Sequence, residues 1–249
     1  MTSASAKYVY GVISAAADPP RARGIGGAEL ELISSEDLAA LVSDIDRSEI
    51  VLGREAMTTH ARVLEEALNT STVLPMRFGI VMTDAAAVRQ ELLDAHGSQL
   101  RGQLAELAGK IELKLRATYE EERLMREVVA QDPEVARLRE SLRGAPEDAT
   151  YYARIQLGEL VAAGVERARE ADTEAILGAL APLAVALDAG KPAHERIAVN
   201  ASFLVERERI AQFDDEVDRI GRAQAGRMRL KYTGPLPPHS FVRIAGAEA

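Results

Sequence analysis

The sequence predicts an α+β protein of two domains, and three observations carry that expectation. Apolar and polar residues alternate over residues 110–118, 196–205 and 227–233, the period of strands with one face buried and one wet. Apolar residues at helical spacing, such as Met57, Ala61, Leu64 and Leu68, fall between β-rich runs in the first half. The chain has 249 residues, 47% hydrophobic and 28% charged, enough to bury a core without covalent staples. Aromatics make up only 4% and Trp is absent, so Ala, Leu, Val and Ile must fill that core, a helix-rich choice.

The first domain, residues 1–108, reads as alternating strands and helices. Tyr8 to Ile13 is a run of β formers closed by Asp18, Pro19, Pro20 and the glycines Gly24, Gly26 and Gly27. A second strand fits residues 29–33. Ser34 then opens a Ser-Ser-Glu-Asp sequence that resembles a capping box and predicts a short helix. A third strand is expected at 41–45, a helix at 54–69 and a strand over 73–82, with Pro75 at its entry. Asp84 is placed to cap a helix carrying Val88, Leu92, Leu104 and Leu107, broken near Gly97. The fold of this domain is a small α+β one, with a ferredoxin-like arrangement as one option.

The second domain, residues 109–233, opens on the strand at 110–118. Helices are expected over 120–142 and 148–189, divided at Gly144-Ala145-Pro146, the second broken by Pro182. A strand at 196–205, an amphipathic helix at 206–225 with Ile210, Phe213, Val217 and Ile220 on its stripe, and a strand at 227–233 complete it. The order is strand, helical insertion, then βαβ. Helices on one side of a half-wet sheet make a ferredoxin-like domain with a helical insertion. Residues 234–249 form a proline-rich tail.

Composition excludes several classes of function. Without cysteine there is no disulfide framework, thiol catalysis or thiolate metal site, and a reducing cytosol is compatible. A formal charge of −9 argues against a protein built to hold phosphate backbones. The uncharged run 175–187 has 13 residues and contains Pro182, too short for a membrane span. Residues 8–17 imitate a signal peptide faintly, but the run is short and β-rich with one basic residue, Lys7, ahead of it; a first strand is the better reading.

No constellation of residues supports an enzyme. His60, His96, His194 and His239 are scattered, with no metal-binding spacing and no nucleophile elbow, so no catalytic residue, cofactor or metal is expected. Gly24-Ile25-Gly26-Gly27 lacks the third glycine of a dinucleotide loop, Glu29 standing there, and reads as a turn. Asp214, Asp215, Glu216 and Asp218 spread around a helix instead of folding back on one point, so they read as a solvated face. Glu120, Glu121 and Glu122 suit the first turn of a helix.

One electrostatic feature stands out. The polar positions of two strands are Lys110, Glu112, Lys114 and Arg116, then Arg227, Arg229 and Lys231. Sharing a sheet, they would make a basic face in an acidic protein. Edge protection and solubility are one reading; a docking surface for an acidic partner is the other. An RNA-binding or regulatory module is the alternative function, weakened because no aromatic stands at these outward positions to stack a base.

Two segments resemble the GvpF/GvpL family of gas vesicle proteins. One is Leu74-Pro75-Met76-Arg77-Phe78-Gly79, following a helix that contains His60. The other is Gly234-Pro235-Leu236-Pro237-Pro238-His239-Ser240-Phe241, similar to the terminal signature of that family. The opening Tyr8-Val9-Tyr10-Gly11-Val12-Ile13 matches its usual first strand, so the resemblance covers nearly the whole chain. Leu236 and His239 stand where members often carry aromatics.

The resemblance implies a minor structural or assembly protein located at the gas vesicle and in the cytoplasm. Its implied partners are the shell protein GvpA and other accessory Gvp proteins, with no nucleic acid and no membrane span. Arg77 faces opposite Met76 and Phe78, ready for a salt bridge to a helix or for a partner. The prolines must leave the sheet and lay Phe241 on a surface, either across the domain junction or in a partner groove. The candidate partner-binding residues are thus Arg77 and Phe78, the basic Lys114, Arg116, Arg227, Arg229 and Lys231, and the tail residues Pro235, Leu236, Pro237, Pro238 and Phe241.

Overall fold

The computed structural model describes residues 5–46, 53–144, 146–190 and 194–243. The last residues of the expected tail, 244–249, and Ala145 of the expected divider lie outside them. The chain forms two compact units: Met1–Glu112 together with Gly234–Ala249, and Leu113–Thr233. Each is a mixed helix-and-sheet body built on an antiparallel sheet.

In the first unit the strands are β1 (Ser5–Ser14), β2 (Leu30–Ser35), β3 (Leu38–Asp46), β4 (Leu74–Pro75) and β5 (Val81–Met82). The sheet order is β2-β3-β1-β4, with β5 also on β1. β1 is therefore interior, and Tyr8, Val9, Tyr10, Val12 and Ile13 are all fully buried. Helix α1 (Arg54–Thr70) packs its Ala56, His60, Val63, Leu64, Ala67 and Leu68 face inward. A helical stretch α2 (Ala85–Ala87), capped by the Asp84 carboxylate on Ala87 N–H, widens into a π-turn over Val88–Asp94. Helix α3 (Gly97–Glu106) follows the expected break.

Two expectations for this unit are corrected. Ser34 does not start a helix: Ser35 pairs with Leu38 across a two-residue turn, where Glu36 adopts a positive φ of 52°. The apolar run from Leu38 prefers the sheet, and Arg101 holds the turn by pairing with Glu36 and with Asp37 at 2.6 Å. The strand expected over 73–82 is interrupted after Pro75, because the chain turns at Phe78 and Gly79 before rejoining β1 at Val81. Gly79 has a φ of 97°, which a side chain would resist.

In the second unit the strands are β6 (Lys110–Tyr119), β7 (Ala186–Ala189), β8 (Ile197–Glu206) and β9 (Met228–Leu236), in the order β7-β8-β6-β9. Helices α4 (Glu121–Gln131), α5 (Pro133–Ser141) and α6 (Glu147–Leu180) lie between β6 and β7 in the chain, and α7 (Ile210–Ala223) between β8 and β9. Phe213 of α7 packs edge-on against Phe203 of β8 at 5.1 Å and stacks on Tyr232 of β9 at 6.1 Å. Gly164 of α6 lets α4 come close, since a Cβ there would lie 2.6 Å from Val128 Cγ1.

Three further corrections come from this unit. The stretch expected as one helix over 120–142 is two, because Asp132 caps α5 and Pro133 takes its first position. The helix expected to reach residue 189 ends at Leu180; Pro182 stops it, and residues 186–189 pair with Leu204 to Ala201 of β8. Pro235 does not force the chain out of the sheet, for β9 continues to Leu236. β9 is an edge strand, and an edge leaves one side of the backbone without a ladder to supply.

Gly11 tests the packing of the first unit. A Cβ at that position would lie 2.8 Å from the Leu74 carbonyl and 3.0 Å from Leu64 and Val73. Gly11→Ala is expected to lower unfolding free energy by about 2 kcal/mol, read by urea denaturation.

Candidate functional site

On the first unit, three segments far apart in sequence converge on His60. The Gly79 N–H donates to Tyr8 Oη at 3.0 Å, and that hydroxyl bonds His60 Nδ1 at 2.9 Å. The imidazole tautomer sets which of Tyr8 Oη and His60 Nδ1 donates, since a hydroxyl that accepts from Gly79 can still either give its proton or accept a second one. His60 Nε2 is buried and has no hydrogen-bond partner among the described residues. Phe78 meets the ring edge-on at 5.7 Å, Tyr10 stacks on it at 5.6 Å, and the His239 ring lies 6.5 Å away.

Burial first, then the neighbouring His239, pushes the His60 pKa down to about 4, against a smaller opposing pull from the Met76 backbone. Burial likewise pushes Tyr8 up to about 12 and raises Tyr10. Nearby, Pro237 and Pro238 are buried, Leu236 and Phe241 half-buried, and Pro235 exposed. The tail is tied down by Ser240, whose N–H and hydroxyl donate to the Glu112 carboxylate at 2.8 and 2.7 Å. Glu112, read from the sequence as a solvent-facing residue, is fully buried for this reason. Arg77 stands exposed on the turn, with no carboxylate paired to it among the described residues, so the expected salt bridge to a helix is not made.

On the second unit, β6 and β9 are neighbours, so their outward cations share a face. Lys114, Arg116, Arg229 and Lys231 are exposed there. Arg116 Nε donates to Asn200 Oδ1 at 3.3 Å. A cleft of about 640 Å³ is lined by Arg116, Arg123, Arg126, Arg196, Arg229 and Lys231, against Glu120, Glu121 and Glu122. Two of those carboxylates are already paired, Glu120 with Arg229 and Glu121 with Arg196, each at 3.0 Å. The cleft is thus cationic within a chain of net charge −9.

Arg227 lies elsewhere. It precedes β9 and turns toward the helices, donating to Asp172 of α6 at 2.8 Å and to Glu127 of α4 at 2.7 Å. Tyr119 donates to the same Asp172, and the guanidinium sits 5.6 Å from the Tyr119 ring centre. Asp172 chiefly holds the Arg227 pKa above its ordinary value, while burial and then Asp172 raise that of Tyr119. The acidic run on α7 is likewise engaged: Asp214 accepts from Tyr232 at 2.6 Å and Glu216 pairs with Arg219.

The sequence model described as gas vesicle synthesis protein GvpL/GvpF matches residues 6–243, taking in β1, the Arg77 turn and the tail. The chain belongs to the GvpL/GvpF family. It is 35% identical to gas vesicle protein F of Streptomyces sp. (strain CB03234), over 94% of this chain and 98% of that protein. It is 25% identical to gas vesicle protein F of Nostoc sp., over 97% and 99%. The Streptomyces gas vesicle protein L is 27% identical, over 98% and 96%. The crystal structure of GvpF from Anabaena sp. PCC7120 has the same fold, with a TM-score of 0.84 at 22% identity, covering 97% of this chain and 99% of that one. Family membership places the role of the chain with gas vesicles. Among the described residues no helix is long and apolar enough to cross a membrane.

Two predictions follow from these geometries. In the fold His60 stays neutral down to about pH 4, whereas the unfolded chain takes up its proton near 6.5. The unfolded state therefore binds more protons between those values, so stability is full above pH 6.5 and falls as pH drops toward 4. The loss is expected to be roughly 3 kcal/mol, and His60→Gln should flatten that slope in urea titrations at stepped pH. Arg227→Met leaves Asp172 without its cation and Glu127 with only Arg123, at 3.2 Å, and should cost about 3 kcal/mol in the same assay.

Proposed function

We propose that the chain is a gas vesicle assembly factor that holds the shell protein GvpA, with other accessory Gvp proteins, before and during polymerisation. A subunit with an apolar gas-facing surface is hazardous when free in water, and a holding protein limits its aggregation. The role is one of binding, exercised at the gas vesicle and in the cytoplasm where its subunits are made.

The observation that carries this reading is the cationic cleft, a concentrated positive surface on an acidic member of a gas vesicle family. Such a surface steers and orients an acidic partner. Arg116, Arg229 and Lys231 are the residues assigned to it. The Arg77 turn and the tail around Phe241 supply a second contact region, on the first unit.

The test is retention of GvpA by the immobilised chain, beside the triple variant Arg116→Glu, Arg229→Glu, Lys231→Glu. These positions are exposed, so folding should survive the change. The wild-type chain is expected to retain GvpA and the variant to lose at least about tenfold in affinity. Equal retention by both would remove the cleft from the interface; no retention by the wild type would remove the holding role.

A further inference from the structure

The first half of α6 carries large apolar side chains that the chain itself leaves uncovered. Tyr151 is 62% exposed, Tyr152 84% and Ile155 44%. Tyr151, Ile155, Gly158 and Ala162 follow one another at steps of four, three and four, so they form one stripe along the helix. Gly164 is explained by the approach of α4, but Gly158 is not: a Cβ there would meet nothing within 4 Å. A mid-helix glycine weakens the helix relative to alanine, and no contact among the described residues requires this one.

Beside the stripe runs an open groove of about 810 Å³ among α4, α5 and α6, floored by Met125, Val129, Val135, Leu157 and Val161. A second hollow of about 360 Å³ shares Met125 and Val161 with it and is lined by Gly158 and Ala162. An apolar stripe flanking an apolar groove, with small residues where a backbone can approach, is the geometry of helix-in-groove recognition.

The groove is continuous with the cationic cleft. Glu121, Glu122 and Arg126 of α4 line both, so the two surfaces meet around that helix. Arg139 adds a cation on the groove side to the six of the cleft. Arg196, Arg229 and Arg123 are paired with Glu121, Glu120 and Glu127, which leaves Arg116, Arg126, Lys231 and Arg139 against the one remaining lining carboxylate, Glu122. The excess positive charge selects an acidic occupant and the floor selects an apolar one.

We propose that this composite surface receives an amphipathic helix of the partner protein, its apolar face along Tyr151, Ile155 and the groove, its acidic flank toward the cleft. The inference rests on the holding role proposed above and specifies the chemistry of the held segment. Gly158 is the point of closest approach, and Arg126 and Arg139 contact the acidic flank.

The test uses the full chain and a fluorescent synthetic helix with a leucine–alanine seam and glutamates on one flank, followed by anisotropy. Two control peptides carry lysine in place of the flank glutamates, or serine in place of the seam. The glutamate peptide is expected to bind, and each control to bind at least about tenfold more weakly. Ile155→Glu and Gly158→Leu, both at exposed positions, should each weaken binding about tenfold, while Gly158→Leu raises the melting temperature by strengthening the helix.

Equal binding of the glutamate and lysine peptides, no binding of the glutamate peptide, or unchanged binding in both variants would overturn the proposal. So would sedimentation showing a dimer of the chain alone that Ile155→Glu dissolves, which would assign the surface to a second copy. GvpA retained equally by wild type and both variants would sink this inference and leave the holding role standing. GvpA not retained by the wild type would sink the holding role itself.

Discussion

The first unit depends on a buried hydrogen-bond chain that runs from Gly79 N–H through Tyr8 Oη to His60 Nδ1. Each member is supplied by a different element: the turn between β4 and β5, the interior strand β1, and the face of α1. A polar group buried without partners is costly, and closing these three elements together pairs the Tyr8 hydroxyl and His60 Nδ1, although His60 Nε2 has no partner among the described residues. That constraint brings the β1 run and the Phe78–Gly79 turn, distant in sequence, together in space, while the tail is held separately by Ser240 on Glu112. Tyr10 works in parallel, bonding Ser43 of β3 at 2.9 Å and accepting from Ile25 N–H at 2.8 Å, which pins the glycine loop over the sheet.

In the second unit the comparable element is an ion network. Arg227 bridges α4 and α6 through Glu127 and Asp172, with Tyr119 of β6 completing the set. These groups are only partly exposed to water, so the pairs are screened less than surface ones. Holding α4 against α6 in this way leaves the first turn of α4 at the rim of the cleft, where Glu120 and Glu121 orient Arg229 and Arg196. The half-buried network thus positions the exposed cations without being part of the surface they form.

Much of the architecture was legible because period and punctuation agreed. β6, β8 and β9 were marked by alternation, α1 and α7 by an apolar stripe, and Asp84, Gly97 and Pro182 by their capping or breaking chemistry. The misses have a common cause. Ser34 and Glu36 satisfy a capping pattern locally, but pairing of β2 with β3 and the grip of Arg101 on the turn outweigh it. Residues 186–189 look like the tail of a helix until β8 offers them an edge to pair with. Glu112 sits in phase with the wet face of β6, and only the return of the tail with Ser240 turns that position into a buried one.

For the candidate site, residue type and strand phase sufficed to choose Arg116, Arg229 and Lys231 as cations of one face. They did not separate Arg227 from them, because one residue before a strand the alternation no longer dictates direction. By itself the sequence determined the class of fold, the strands and helices with strong periodicity, and the family, since these rest on local pattern and on motifs read in order. The tertiary structure alone decided which charges are spent on each other and which remain at the surface. Pairing depends on distances between elements far apart in the chain, and no local period encodes those.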